Sequence, residues 1–133
     1  MKRFKSWKFG DTKKQADELV NLIILGKKRA TSSLYDSYKR KKQNLPKIGD
    51  KTIIKDSRNK NKCLIVITSV KVKPFKKVSA AFARKEGEGN CSLAHWRRVH
   101  KKFFIKRLIK RKGKFNENIL VVCEEFRVLK VFD

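Results

Sequence analysis

Thr52-Ile53-Ile54-Lys55-Asp56 and Lys62-Cys63-Leu64-Ile65-Val66-Ile67-Thr68-Ser69-Val70-Lys71-Val72, separated by Ser57-Arg58-Asn59-Lys60-Asn61, carry the reading of the fold. Both runs are rich in β-branched residues, and the segment between them is made of turn formers, so they predict a hairpin. Leu45-Pro46-Lys47-Ile48-Gly49-Asp50 reads as a turn leading in, punctuated by Pro and Gly, and Pro74 closes the second strand.

On the N-terminal side, Ala16, Leu19, Val20, Ile23 and Ile24 recur at helical spacing. Thr12 and Gln15 have capping-box spacing, and Gly26 stands where a left-handed residue ends a helix, so a helix is predicted over 12–25. Residues 27–38 read as a short extended piece followed by a helical turn, and 39–43 as a basic loop. On the C-terminal side, Ser79 caps a short helix to about Lys85. After the flexible Gly87-Glu88-Gly89-Asn90, Ser92 caps a long helix to about Lys112. Its stripe Leu93, Trp96, Val99, Phe103, Phe104 and Leu108 is assigned to the core. Ile119 to Glu125 and Arg127 to Phe132 read as two strands around a bend at Glu124-Glu125. The order α-β-β-β-α-α-β-β predicts an α+β fold with a small, mostly antiparallel, curved sheet. The 133 residues fit a single domain over 1–133.

Charge narrows the function. There are 37 Lys and Arg against 12 Asp and Glu, a formal net charge of +25, on a chain that is still 40% hydrophobic. Such a surface is suited to phosphates and their counterions, which makes RNA the expected partner. A solubility device or a general lysine bias is the competing explanation. Cys63, Cys91 and Cys123 are odd in number and widely spaced, with no CxxC pair, so neither a disulfide framework nor a zinc knuckle is expected. The basic N-terminus, Met1-Lys2-Arg3-Phe4-Lys5-Ser6-Trp7-Lys8, is not followed by an apolar stretch. Apolar runs such as Leu22 to Leu25 are far too short for a bilayer, so no membrane partner and a soluble, cytoplasmic protein are expected. Lys39-Arg40-Lys41-Lys42 matches a nuclear signal no better than it matches any lysine-rich loop.

Three segments can carry chemistry. Gly26-Lys27-Lys28-Arg29-Ala30-Thr31-Ser32-Ser33 sets cations and hydroxyls after a helix end. It suits an anion or polar base, or simply complements the helix dipole. Glu86-Gly87-Glu88-Gly89-Asn90 places two carboxylates in a backbone that can approach a ligand, or forms an acidic loop paired with nearby lysines. Cys91 with His95 has nucleophile and base chemistry but no evident third partner, and His95 and His100 are poorly spaced to share a metal. No metal and no cofactor are therefore expected. The cations Arg97, Arg98, Lys101 and Lys102, on the polar side of the long helix, are candidate phosphate contacts together with Lys27 and Arg29.

These segments occur in an order that resembles the ASCH domain family. Phe9-Gly10-Asp11 is followed by the helix and by Gly26 to Leu34, then Leu45 to Asp50 and Val72-Lys73-Pro74-Phe75. Next come Glu86 to Leu93, Trp96-Arg97-Arg98-Val99-His100, and Leu120 to Phe126. The resemblance implies a PUA-like small curved β-barrel with flanking helices around an RNA- or nucleotide-binding cleft, formed near the GKKRAT motif and the EGEGN loop. It also implies, as alternatives, an amidohydrolase acting on N4-acylcytidine-type modified nucleosides, or a ribonuclease. Carried over by position, the amidohydrolase residues are Lys28, Thr31 and Glu86, with Glu88 as the other candidate carboxylate. The expected chemistry has Lys28 activating the Thr31 hydroxyl as a base of lowered pKa, and Glu86 protonating the leaving amine or orienting water. Lys28 and Thr31 are three residues apart, so they converge only if the chain bends after Gly26. Arg29 stands where the family often has a small polar residue, and it narrows the expected pocket.

Overall fold

The computed structural model describes residues 5–10 and 12–132; Asp11 of the Phe9-Gly10-Asp11 segment and residues 1–4 of the basic N-terminus lie outside them. The elements, in chain order, are β1 (Lys5–Trp7), α1 (Lys13–Ile24), β2 (Ala30–Leu34), α2 (Tyr35–Arg40), β3 (Lys51–Lys55), β4 (Asn61–Pro74), α3 (Ala80–Glu86), α4 (Leu93–Ile109) and β5 (Leu120–Val131). A single 3-10 turn, Phe75–Lys77, follows β4.

The hairpin forms as its sequence predicts, with β3 antiparallel to β4 and Ile53 opposite Leu64. Around it one sheet assembles in the order β1-β3-β4-β5-β2. Every pairing is antiparallel except β1 with β3. The sheet is a curved half-barrel, and α+β describes the chain. β5 runs unbroken through Glu124 and Glu125, where two strands were expected. The β4–β5 register shifts at Leu64/Ile65, where Leu129 of β5 is the extra residue, and at Ile67/Ser69, where Thr68 of β4 is. Such bulges curve a ribbon without ending it.

Each layer of the core belongs to one side of the sheet. Val20 and Ile23 of α1 pack with Ile54, Cys63, Ile65, Ile67 and Phe126. Trp7 and Phe9, in an edge-to-face pair, close the margin of this cluster. On the other side Phe75, Phe82, Trp96, Phe104 and Leu108 pack with Ala30, Leu34, Val121 and Cys123. Of the predicted α4 stripe, Val99 is 37% exposed and lies outside the core, whereas Trp96, Phe104 and Leu108 are buried.

Candidate functional site

Lys28 owes its position to how α1 ends. Gly26 is left-handed at φ 79°. The Lys27 amide bonds to the Leu22 carbonyl at 2.9 Å and the Gly26 amide to the Ile23 carbonyl at 3.0 Å. This pattern is a Schellman turn. It sends the chain across the end of the sheet, where the Arg29 amide bonds the Lys85 carbonyl and the Phe126 amide bonds the Arg29 carbonyl. Lys27 and Arg29 point to solvent, while Lys28 is 2% exposed.

The carboxylates come from the other end of the site. α3 begins at Ser79, whose hydroxyl accepts from the Phe82 amide, and stops at Gly87 in a left-handed conformation. Glu86 is thus the last residue of α3, and it is buried. A Cβ on Gly87 would run into the Lys27 carbonyl, so only glycine lets the loop lie against the GKKRAT segment. Lys28 Nζ is 3.0 Å from Glu86 Oε1 and 2.9 Å from Glu88 Oε2. Glu86 Oε2 accepts from Ser32 at 2.6 Å and from the Trp96 indole at 2.6 Å. His100 stacks on Trp96, donates Nδ1–H to its carbonyl, and turns Nε2 toward Glu86 Oε2 at 3.3 Å. Glu86 is thereby enclosed by protein donors. Glu88 commits one oxygen to Lys28, and its side chain remains 28% exposed.

Electrostatics follow from these contacts. Burial pulls the Lys28 pKa down, but Glu86 and Glu88 together override it and raise the value above that of an ordinary lysine. The lowered pKa expected for a lysine base is therefore not what these neighbours produce. Burial likewise pushes Glu86 up, and Lys28, His100 and Ser32 reverse this and hold it well below the usual carboxylate range. Glu86, Glu88 and His100 bring three possible metal-ligand atoms within 4.8 Å of one another. Lys28 already supplies the cation between the two carboxylates.

The network thus brings Lys28 to both Glu86 and Glu88. Thr31 is placed differently. In the register it sits opposite Glu124, whereas Ser32 sits opposite Cys123, so the two hydroxyls occupy alternate faces of β2. Among the described residues no hydrogen bond joins Thr31 to Lys28 or Glu86, and Ser32 is the hydroxyl that meets the network. Ser32, Trp96 and His100 were not singled out as site residues from sequence. In the sequence Trp96 belongs to the core stripe, and His100 stands out as a possible metal ligand and as the end of the Trp96–His100 segment. Cys91 and His95 are not joined by a hydrogen bond among the described residues; the His95 ring lies against Arg98.

On the face of β2 that carries Thr31, Glu124 is fully buried beside Tyr38 and Ser33. Its Oε1 accepts from Tyr38 at 3.3 Å, and its Oε2 has no hydrogen-bond partner among the described residues. Burial pushes the Glu124 pKa up to about 7; Tyr38 opposes this, and Asp50 and Glu86 add to it. Arg97, Arg98, Lys101 and Lys102 are all exposed on α4. Arg97 spends one bond on the Lys76 carbonyl. A cavity of about 390 Å³ takes Gly26, Lys28 and Arg29 into its lining, together with Lys85, but none of the residues 86–90. No helix among the described residues is long and apolar enough to cross a membrane.

The ASCH domain family model matches residues 5–130. An ASCH domain structure from Lactobacillus crispatus JV V101 is similar at 35% identity and a TM-score of 0.90, over 94% of this chain and 79% of that one. A protein structure from Enterococcus faecalis V583 is similar at 34% identity and a TM-score of 0.91, over 98% of this chain and 79% of that one. An ASCH structure from Zymomonas mobilis, at 10% identity and a TM-score of 0.57 over 98% of this chain and 71% of that one, shares the fold alone. No curated protein matches the sequence. The fold is PUA-like, and the chain belongs to the ASCH domain family.

Proposed function

We propose that this protein is a single-domain RNA- or nucleotide-binding ASCH protein whose ligand is read beside the Lys28–Glu86–Glu88 network. The observation that carries this is the fully buried Lys28 held between two carboxylates, one of them open to solvent. Burying the Lys28 and Glu86 charges is costly compared with an apolar core, and such clusters concentrate at functional sites. Glu88 is the group facing outward, with an oxygen left to accept from a base amino or imino group. Lys27 and Arg29 flank the network, and Arg97, Arg98, Lys101 and Lys102 on α4 grip the phosphate backbone. The ASCH family's general link to RNA and the +25 charge support the same reading. Fluorescence anisotropy of a labelled single-stranded RNA over a salt series tests it. Binding should weaken steeply with salt, and Arg98→Glu with Lys101→Glu should weaken it by about tenfold. Absence of binding at low salt overturns the reading.

Deacylation of an N4-acylcytidine-type nucleoside is the second reading, favoured by the direct contact of Lys28 with both candidate carboxylates. Held charged, Lys28 would donate to the developing oxyanion, while Glu88 takes a proton from the water that attacks the acyl carbon and passes it to the N4 amine as the C–N bond breaks. Turnover of N4-acetylcytidine that disappears in Lys28→Ala supports this; no turnover by the wild-type protein rejects it.

A further inference from the structure

The β4–β5 ribbon carries a second charged feature, which adjoins the buried network at Lys28. The register sets Ser69 and Lys71 of β4 opposite Glu125 and Cys123 of β5, and Lys73 opposite Val121. Paired residues share a face of the sheet. Between the end of α1 and β5 lies the cavity of about 390 Å³, with apolar walls from Ile24, Phe126 and Val128 and guanidinium groups from Arg29 and Arg127. A second cavity, of about 200 Å³, lies between β4 and α3 and is lined by Lys71, Lys73, Ser79 and Phe82. Lys85 and Glu125 line both cavities and form a 2.7 Å ion pair. The two cavities are therefore neighbouring stations of one groove, with this ion pair between them.

Charge and shape select the occupant. Lys28 is neutralised by its own carboxylates, which leaves Arg29, Lys71, Lys73, Lys85 and Arg127 against Glu125 alone. Such an excess calls for a polyanion. The apolar walls and guanidinium planes of the larger cavity suit an unstacked base, which a duplex does not offer. We propose that this groove is a track for single-stranded RNA, with consecutive nucleotides in the two cavities and Lys85–Glu125 as the divider. Glu125 can accept from an exocyclic amino group, and the hydroxyls of Thr68, Ser69 and Ser79 lie where a ribose 2′-OH can be met. The proposal rests on the RNA reading above and adds a path on a different surface from α4.

The test is anisotropy with a fluorescein-labelled single-stranded RNA at fixed low salt. It compares Lys71→Ala/Arg127→Ala with Lys13→Ala/Lys14→Ala, an equal charge change on exposed positions of α1. Circular dichroism verifies that each variant is folded. The groove pair should lose roughly tenfold in affinity and the α1 pair less than about twofold. Equal losses overturn the groove, because the general field alone then explains binding. Wild-type affinity in the groove pair, with weakened binding in Arg98→Glu/Lys101→Glu, overturns the groove and leaves the RNA reading standing. No binding by the wild-type protein overturns both.

Discussion

Lys28 Nζ lies 2.9 Å from Glu88 Oε2 and the two residues are 60 positions apart, so the Schellman turn after α1 and the glycine loop after α3 are joined through one charge. The ammonium is 2% exposed and touches a second carboxylate at 3.0 Å. Removing it leaves two carboxylates facing each other with little water to separate them.

Lys28→Ala should therefore destabilise the protein by about 3–5 kcal/mol, the cost of orphaning a buried charge. Glu86→Gln in the same background should add less than it costs alone, with a coupling of about 1–3 kcal/mol. Urea unfolding of the four proteins of this cycle measures both quantities. Additive losses would show that the contact carries no energy of its own.

The hydroxyls of β2 should behave unequally. Ser32→Ala removes a donor to Glu86 and should cost about 1–2 kcal/mol. Thr31→Val keeps the shape of a residue that does not touch the network, and its stability should change less. If N4-acylcytidine turnover is found, the same pair of variants identifies the hydroxyl that supports it.

Glu124 should impose a pH dependence opposite to that of a salt-bridged carboxylate. Its pKa in the fold is raised from 4.5 to about 7. Below the lower value both folded and unfolded states hold the proton, and there is no penalty. Between the two values the unfolded chain ionises first, so stability falls as pH rises, by up to about 3 kcal/mol, and it levels off above the upper value. The stability gap between Glu124→Gln and wild type should accordingly change from acid to neutral pH in favour of the variant. Thermal melts across this range read it directly. Glu86, with its lowered pKa, works the other way: its contribution is complete above 4.5 and is lost as pH falls through its folded value.

Gly87→Ala should be worse than Gly89→Ala. At Gly87 a new Cβ meets the Lys27 backbone, which has nowhere to go, whereas at Gly89 it meets the His95 ring, which can rotate. Both positions have positive φ, so both pay backbone strain of about 1 kcal/mol, and Gly87→Ala should exceed that by at least as much again. Denaturant midpoints of the two variants give the comparison.

Local signals were legible along the chain. Thr12, Ser79 and Ser92 each cap the helix their spacing indicates, because a cap depends only on the next three residues. Non-local ones were not. β1 exists because Lys5–Trp7 pairs in parallel with Thr52–Ile54, and three residues carry no periodicity from which that can be read. The acidic pair on β5 suggested a bend, yet Glu124 faces Tyr38 inside the fold while Glu125 faces Lys85. α4 stops at Ile109 rather than near Lys112, where the backbone has already turned left-handed. In the candidate site, Lys28 and Glu86 could be named from the ordered motif. Their contact could not, because no sequence spacing states a distance across the sheet. The direction of the Lys28 pKa depended on that contact too: its neighbours in sequence are cations, and its neighbours in space are carboxylates.

The position of Glu86 also bears on when the site comes into being. Its four side-chain partners are Lys28 from the turn after α1, Ser32 from β2, and Trp96 and His100 from α4, so the last to be synthesised is His100. A chain growing from its N-terminus makes Lys28 and Ser32 early and carries them, unpaired, until α4 has been made. Contacts of such long range close late in folding. A ligand anchored at Glu88 would thus meet either a finished network or none at all, and proteolytic loss of α4 would remove the site together with the fold.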